Sequence, residues 1–403
     1  MAFISYEASK NLLELLDVGM LRSEKIFLSD ALGRVLAEDI IADENAPKYP
    51  TSAMDGYAVK HADLESGCIK MLGDNPAGSN NKLSVGDGEC VKTFTGSVMP
   101  DGADTLIQIE NVTVDGDTII IDESVSFGSS VRPVGESYFK DEILIKKGMV
   151  IGFAEIGVMA GLNHVMVNVA QKPSVAIVST GSEILDLGEK ATHESQIRST
   201  NNYTIEAIIK MAGAHAIQLG TISDDRASIT KGFENALDSA DIIISTGGVS
   251  VGDYDFVKDI IPRLGAEVIY KGVNIKPGQH IMVAQKGNKF IIALPGFAYS
   301  STVTCILYAI PLIKRFLGLE SALNVVEATL KKPFKKRSKK SEFTACNILF
   351  EDGKYWVDFD DKKVGTSAIL TNMLHGAALM VTGEEDGNLD EGMSVNVILL
   401  GSF

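Results

Sequence analysis

The chain has 403 residues, 45% hydrophobic and 22% charged, an ordinary globular balance whose length implies about two to four domains. Thirty-seven Lys and Arg against 53 Asp and Glu give a formal charge of −16, which repels a nucleic-acid backbone and argues against polynucleotide binding. Cys68, Cys90, Cys305 and Cys346 form no Cys-x-x-Cys pair and the six histidines are dispersed, so a zinc centre and a histidine triad lack support and a reducing, cytoplasmic setting is expected.

In chain order, Glu7, Lys10 and Glu14 fall at helical spacing, and Tyr6 to Leu16 reads as an amphipathic helix, not a signal peptide. A helix-like turn near Leu28 to Leu36 and a short strand, Val35 to Ile41, follow. From Ala46 to about Val131 the chain is rich in Gly, Asp and short alternating strands, the pattern of a small β domain. Lys146 to Gly161 returns to a helical pattern expected to pack with the N-terminal helix, which makes the β domain an insertion in a helical arm. The predicted division is 1–45 with 133–170 as arm, 46–132 as inserted β domain, 171–319 as α/β domain and 320–403 as C-terminal β domain.

Between Pro173 and about Leu319, apolar strands alternate with amphipathic helices: strands at Ser174 to Ser179, Ala216 to Thr221 and Ile242 to Ser245, helices at Asn202 to Ala212, Ala227 to Leu237 and Phe256 to Arg263. This alternation predicts a parallel sheet covered by helices on both faces. Phe290 to Ile313 is uncharged and long enough to span a bilayer. Leu294-Pro295-Gly296 breaks it and four hydroxyl residues follow, so the expectation is a buried strand, a turn and a core helix ending near Phe316, with no membrane span. Beyond Glu320, strands are expected at Val325 to Leu330, Glu342 to Phe350, Lys354 to Asp358 and Val395 to Leu400. The basic run Lys331, Lys332, Lys335, Lys336, Arg337, Lys339, Lys340 reads as a solvated linker or edge strand.

Open parallel sheets bind ligands beyond the carboxyl ends of their strands, and three strand ends here carry suitable groups. Thr180-Gly181-Ser182-Glu183 follows the first, Ser223-Asp224-Asp225 the second, and Gly247-Gly248-Val249-Ser250-Val251-Gly252-Asp253-Tyr254-Asp255 the third. Paired glycines let backbone N–H groups face an anion, and carboxylates suit a hydrated Mg²⁺. Glu183, Asp224 and Asp255 are the metal candidates, with Asp224 and Asp225 unranked. Each acid alone reads as a helix cap or solvated turn, and only together do they form a candidate site. Lys276-Pro277-Gly278 ends an apparent strand beginning near Val268, and Pro295 follows another. Lys276 is a candidate anion ligand, with a surface turn lysine as the plain alternative.

The order of these pieces resembles the molybdopterin molybdenumtransferase family, the MoeA proteins and the related E domain of gephyrin, over almost the whole chain. The resemblance rests on Ser52-Ala53-Met54-Asp55-Gly56-Tyr57-Ala58-Val59, on Thr95-Gly96-Ser97-Val98-Met99-Pro100-Asp101-Gly102-Ala103-Asp104, on Ser179 to Glu183, on Gly247 to Asp255 and on Lys276-Pro277-Gly278. It implies a multidomain α/β plus β fold: a MogA-like, molybdopterin-binding α/β domain, the inserted β domain, the helical arm and a C-terminal β-barrel-like domain. It also implies a homodimer with a cleft between the α/β domain of one subunit and the small β domain of the other. The implied reaction is Mg²⁺-dependent insertion of the substrate molybdate into adenylylated molybdopterin with release of AMP, the pterin coming from a molybdopterin adenylyltransferase.

By the same resemblance, Asp55 and Thr95 reach in from the partner. Glu183, Asp224 and Asp255 serve the metal, Asp255 in preference to Asp253. Lys276 and Pro295 line the pterin and molybdate side, while Thr180, Gly181, Gly247, Gly248, Ser250 and Gly252 hold phosphate. The chain departs from the family at three turns. Lys-Pro-Gly-Lys-Pro becomes Lys276-Pro277-Gly278-Gln279-His280, Leu-Pro-Gly-Asn-Pro becomes Leu294-Pro295-Gly296-Phe297-Ala298, and Gly-Glu-Asp becomes Gly135-Glu136-Ser137. An active insertase is the favoured reading. A pterin-binding scaffold or a user of another oxyanion such as tungstate competes with it because a cation is lost at the molybdate end, and a nucleotide-processing enzyme is a third reading.

Overall fold

The computed structural model describes residues 3–79, 83–249 and 256–401. The chain divides into two units: residues 1–26, 33–37 and 168–403 form the first, and residues 27–32 and 38–167 the second.

The first unit begins with helix α1 (Tyr6–Leu15), capped by the Ser5 hydroxyl, which accepts the Ala8 N–H at 3.1 Å. In the second unit, strands β1 (Gly56–Val59), β2 (Cys68–Asn75), β3 (Glu89–Thr93), β4 (Thr105–Gln108), β5 (Val112–Asp115) and β6 (Thr118–Ile121) form a sheet in the order β4-β1-β3-β2-β6-β5. Only β2 and β3 pair in parallel. Tyr57, Val59, Ile69, Cys90, Ile107 and Ile119 fill its core, where burial pushes the Cys90 thiol up to about 12. The expected helical turn before it is a single 3-10 turn, Leu28–Asp30, and the expected strand shrinks to Ile40–Ile41, paired with Ile143–Ile145. Helix α2 (Phe153–Gly161) starts later than the Lys146 pattern predicts, because Gly148 (φ +86°) turns the chain and the Glu155 carboxylate caps the Gly152 N–H at 2.9 Å.

The rest of the first unit contains β7 (Ser174–Thr180), α3 (Asn201–Met211), β8 (His215–Ile222), α4 (Arg226–Ser239), β9 (Ile242–Thr246), α5 (Val257–Arg263), β10 (Glu267–Lys271), β11 (Ile275–Lys276), β12 (Met282–Lys286) and β13 (Lys289–Leu294). The sheet order is β8-β7-β9-β13-β12-β10. The first four strands are parallel as predicted, whereas β12 and β10 add an antiparallel edge. Strands β7, β9 and β13 are buried almost without alternation, the pattern of strands covered on both faces. Ile177, Ile205, Ile209, Ile244 and Ile292 belong to the core on one face; Val178, Phe233, Ile243 and Ile291 belong to that on the other.

The apolar run from Phe290 becomes β13, helix α6 (Ala298–Thr304), a π turn over Cys305–Ala309 and helix α7 (Ile310–Phe316), all packed in the core. Among the described residues no helix is long and apolar enough to cross a membrane. Strands β14 (Val325–Leu330), β15 (Ser341–Glu351), β16 (Lys354–Asp358), β17 (Ala378–Thr382) and β18 (Ser394–Ile398) close into a five-stranded barrel, in the order β15-β16-β14-β18-β17 with β17 returning to β15. Strand β17 has no counterpart among the strands expected from sequence. Phe343, Ala345, Leu379 and Ile398 of the barrel share the core that contains Leu13, Ile205 and Ile306, and burial pushes the Cys346 thiol up to about 12.

Arg315 of α7 donates to the carbonyls of Leu13 and Leu16 at the end of α1, and burial lowers its proton affinity. The pairing supplies partners for carbonyls that a helix end otherwise leaves unsatisfied. Arg315→Met removes these charge-assisted bonds, worth about 1–3 kcal/mol. Hydrogen exchange over Tyr6–Leu15 is expected to speed up while exchange in β7 and β9 stays slow.

Candidate functional site

The register of the parallel strands builds the site. Ser179 of β7 lies opposite Thr246 of β9, and Thr246 lies opposite Leu294 of β13. The next residues of each strand, Thr180-Gly181, Gly247-Gly248 and Pro295-Gly296, therefore emerge together at one sheet edge. Below them is a buried hydroxyl layer: Ser179 Oγ donates to Asn202 Oδ1 and lies 2.9 Å from Thr246 Oγ1. The glycines are there for lack of room. A Cβ on Gly247 (φ +87°) would stand 2.9 Å from the Thr180 carbonyl oxygen, and one on Gly248 (φ +68°) 2.7 Å from Val257 Cγ2.

These ends form one wall of a cavity of about 780 Å³, a volume within the range of small-molecule sites. Thr180, Glu183, Gly247, Gly248, Lys276 and Pro295 all line it. Glu183 is held over the first turn, where a Cβ on Gly181 would meet its carboxylate at 2.9 Å. Asp224 stands on the adjoining turn, accepting the Ser182 N–H at 3.2 Å, and does not line the cavity. Asp225 plays another part and caps α4 by accepting the Ser228 N–H at 2.8 Å; its hydrogen bonding to Ser228 holds its carboxyl below the usual range. Both neighbouring acids thus accept a backbone N–H, Asp224 from the first turn and Asp225 from its own helix. Ser250, Gly252, Asp253 and Asp255 lie outside the described residues.

Lys276 reaches the cavity by a route other than the one expected from sequence. The strand from Val268 does not continue to it: β10 ends at Lys271, because Gly272 (φ +80°) turns the chain at a point where a Cβ would meet the Phe3 ring at 2.3 Å. Ile275–Lys276 instead forms β11, an added parallel strand on barrel strand β15, with Lys276 in register with Glu342. Gly278 (φ +94°) presses against α6, its missing Cβ facing Thr304 Cγ2 at 2.3 Å.

The barrel supplies the opposite wall through Ser338, Lys340, Glu342, Thr344 and Ser367, none singled out as site residues from sequence. The basic run is the irregular connection between β14 and β15, with Lys332, Lys335, Arg337 and Lys339 exposed as expected of a solvated linker, but several of its lysines are engaged. Lys332 pairs with Asp360 at 2.6 Å, Lys336 donates to the Gly383 carbonyl, and Lys340 donates to Gln279 Oε1. A cation therefore stands beside Gln279, contributed by the residue just before β15. The second altered turn is also supported from elsewhere: Asn201 Nδ2 donates to the Gly296 carbonyl at 2.8 Å, while Phe297 stands 64% exposed before α6. Tyr299 OH joins the two walls, donating to the Phe343 carbonyl at 3.0 Å and accepting the Ala345 N–H at 2.8 Å. A serine or lysine in a basic run carries no local sign of this, since its placement depends on the β11–β15 register.

In the second unit, Asp55 and Thr95 form a site of their own. Both are exposed, and Asp55 Oδ1 accepts the Thr95 N–H at 2.8 Å and the Thr95 hydroxyl at 2.7 Å. These bonds favour the anion and hold the carboxyl below its usual range. Gly56 beside it is obligatory, because a Cβ would approach the Ile107 carbonyl to 2.2 Å.

Among the described residues no three His, Cys, Asp or Glu side chains gather into a closed metal cage. The oxygen donors at the sheet edge, with Glu183 facing the cavity and Asp224 one turn away, fit Mg²⁺, which takes one or two carboxylates and keeps water and phosphate as its other ligands.

Residues 4–162 match the family model of the MoeA N-terminal region, domains I and II, and residues 176–315 match that of the probable molybdopterin-binding domain. The molybdopterin molybdenumtransferase of Staphylococcus aureus strain MRSA252 is 32% identical over 385 residues, covering 94% of this chain and 91% of the relative. That of Haemophilus influenzae is 29% identical over 391 residues, covering 93% of each. Two crystal structures of the molybdopterin biosynthesis MoeA protein from Pyrococcus horikoshii superpose with TM-scores of 0.86 and 0.83 at 27% and 26% identity, over 99–100% of this chain and 100% of theirs. Sheet edge, added strand and barrel wall thus occur in a chain aligned with these transferases over nearly its full length, and it belongs to the molybdopterin molybdenumtransferase (MoeA) family of molybdenum cofactor biosynthesis.

Proposed function

We propose that this transferase inserts molybdate into adenylylated molybdopterin and releases AMP in a Mg²⁺-dependent reaction. The observation that carries the reading is the division of one cavity into two chemically different walls, glycine turns with Glu183 on the sheet edge and Lys276 with Lys340 on the barrel side. A pyrophosphate-linked substrate needs both: backbone N–H groups for its phosphates, and cations for an incoming oxyanion. Bound Mg²⁺ would supply Lewis-acid polarisation of the phosphate oxygens. Thr180, Gly181, Gly247, Gly248, Ser250 and Gly252 hold the phosphates, Glu183, Asp224 and Asp255 hold the metal or its waters, and Lys276 and Pro295 border the pterin and oxyanion. The catalytically weakened scaffold is the lesser reading, because Lys340 stands where Gln279 lost a charge.

We also propose a homodimer in which Asp55 and Thr95 serve the substrate held by a second copy, with a molybdopterin adenylyltransferase as donor and the cytoplasm as setting. Support for the dimer comes from α2, Phe153–Gly161, which is almost wholly apolar although only Met159 is buried and Phe153 is 89% exposed. We propose the functional modules as 46–132, 171–319 and 320–403, with 1–45 and 133–170 as arm.

Glu183→Gln is expected to lower Mg²⁺-dependent AMP release from adenylylated molybdopterin by about 10²-fold or more. Unchanged release would remove Glu183 from the metal edge. Lys340→Ala is expected to raise the molybdate KM about tenfold with a smaller effect on kcat, measured by steady-state kinetics; tungstate run in parallel tests oxyanion choice. Phe153→Asp is expected to shift sedimentation from dimer to monomer. Thr95→Val removes the hydroxyl bond that favours the Asp55 anion. The carboxylate form, present above the folded pKa and lost as pH falls through it, should then be lost at a higher pH, as read from the Asp55 carboxyl signal in NMR titration.

A further inference from the structure

Glu342 is the deepest charged group of the cavity. Its side chain is 5% exposed, and it reaches the site from barrel strand β15 directly opposite Lys276 of β11. One oxygen, Oε1, accepts the Ser338 hydroxyl at 2.7 Å and the Arg337 N–H at 3.2 Å and stands 3.5 Å from Lys276 Nζ. Lys276 is the more exposed partner, at 33%, and lines the cavity. A buried carboxylate fixed by two donors from the loop before its strand is a poor choice for stability alone, since its desolvation offsets much of its attraction to the lysine.

We propose that Glu342 is a positioning residue: it aims the Lys276 ammonium at the oxyanion and, by sharing that charge, keeps the empty site from holding an oxyanion too tightly to turn over. The proposal rests on the reading of Lys276 as an oxyanion ligand. Two opposing consequences follow from the geometry. The carboxylate repels any anion that Lys276 attracts, so its charge weakens ground-state binding. The same carboxylate holds the ammonium at one place, so its loss costs the alignment from which turnover benefits. Ser338 belongs to the same device, because its hydroxyl fixes the oxygen that faces Lys276.

The test is steady-state kinetics of AMP release from adenylylated molybdopterin with varied molybdate, on the full-length protein. Glu342→Gln keeps the shape and removes the charge. It is expected to lower the molybdate KM about three- to tenfold while kcat falls about tenfold. Glu342→Asp restores the charge and is expected to return KM close to the starting value. A merely structural role would lower kcat and melting temperature in both variants without tightening molybdate, and that result overturns the proposal. Should Glu342→Gln fail to fold, Ser338→Ala frees the same carboxylate and is expected to lower kcat with KM unchanged or lower; a raised KM or an unchanged kcat overturns the proposal. Lys276→Ala separates the two levels of argument. If it leaves the molybdate KM unchanged, the oxyanion reading itself fails; if it raises KM while Glu342→Gln leaves KM and kcat as they were, only the positioning role fails.

Discussion

The site depends on one constraint, the parallel register of β7, β9 and β13. Ser179, Thr246 and Leu294 lie opposite one another, so three turns leave the sheet at one level. That register follows from burial on both faces: a slip of one residue would exchange Ile243 of one core with Ile244 of the other along the whole strand. The edge above then needs glycine, because Gly247 sits against the Thr180 carbonyl and Gly248 against Val257. Beneath it, the Ser179, Asn202 and Thr246 side chains satisfy one another, so the polar floor carries little of the penalty that unpaired buried hydroxyls impose.

The barrel wall is coupled to this edge through packing and hydrogen bonds. Phe343 and Leu379 share a core with the helices on one sheet face, and Tyr299 bonds to both Phe343 and Ala345. Strand β11 continues the coupling by leaving the α/β sheet's edge and adding to β15. The cavity is thereby bounded by turns at the end of the parallel sheet and by the barrel with its adjoining loops. Glu183 and the glycine turns border the cavity on one side, and Lys276 and Lys340 enter from the other.

The altered turns take on a different meaning in this setting. Gln279 in place of a lysine suggests a lost charge when read along the chain, but Lys340 is bonded to its amide. Phe297 in place of an asparagine suggests a lost amide, but Asn201 holds the Gly296 carbonyl. Both bonds come from residues distant in sequence. Glu342 adds a negative charge to the cationic side, where it pairs with Lys276 and leaves Lys340 as a second cation.

The sequence by itself determined the βα alternation, the buried character of Phe290 to Ile313, the catalogue of strand-end turns and the family. Each of these is written in local periodicity or in contiguous motifs, and hydrophobic burial enforces them directly. It also placed Asp55 and Thr95 in named motifs, which the structure joins by two hydrogen bonds. Only the tertiary structure decided that β10 ends at Lys271, that β17 closes the barrel, that Asp225 is a cap, and that Lys340 and Glu342 belong to the cavity. These are facts of long-range register, in which Lys276 meets Glu342 across 65 intervening residues. The side chain of a lysine in a basic run carries the same local pattern whether it faces solvent or a site; strand pairing between distant segments decides which.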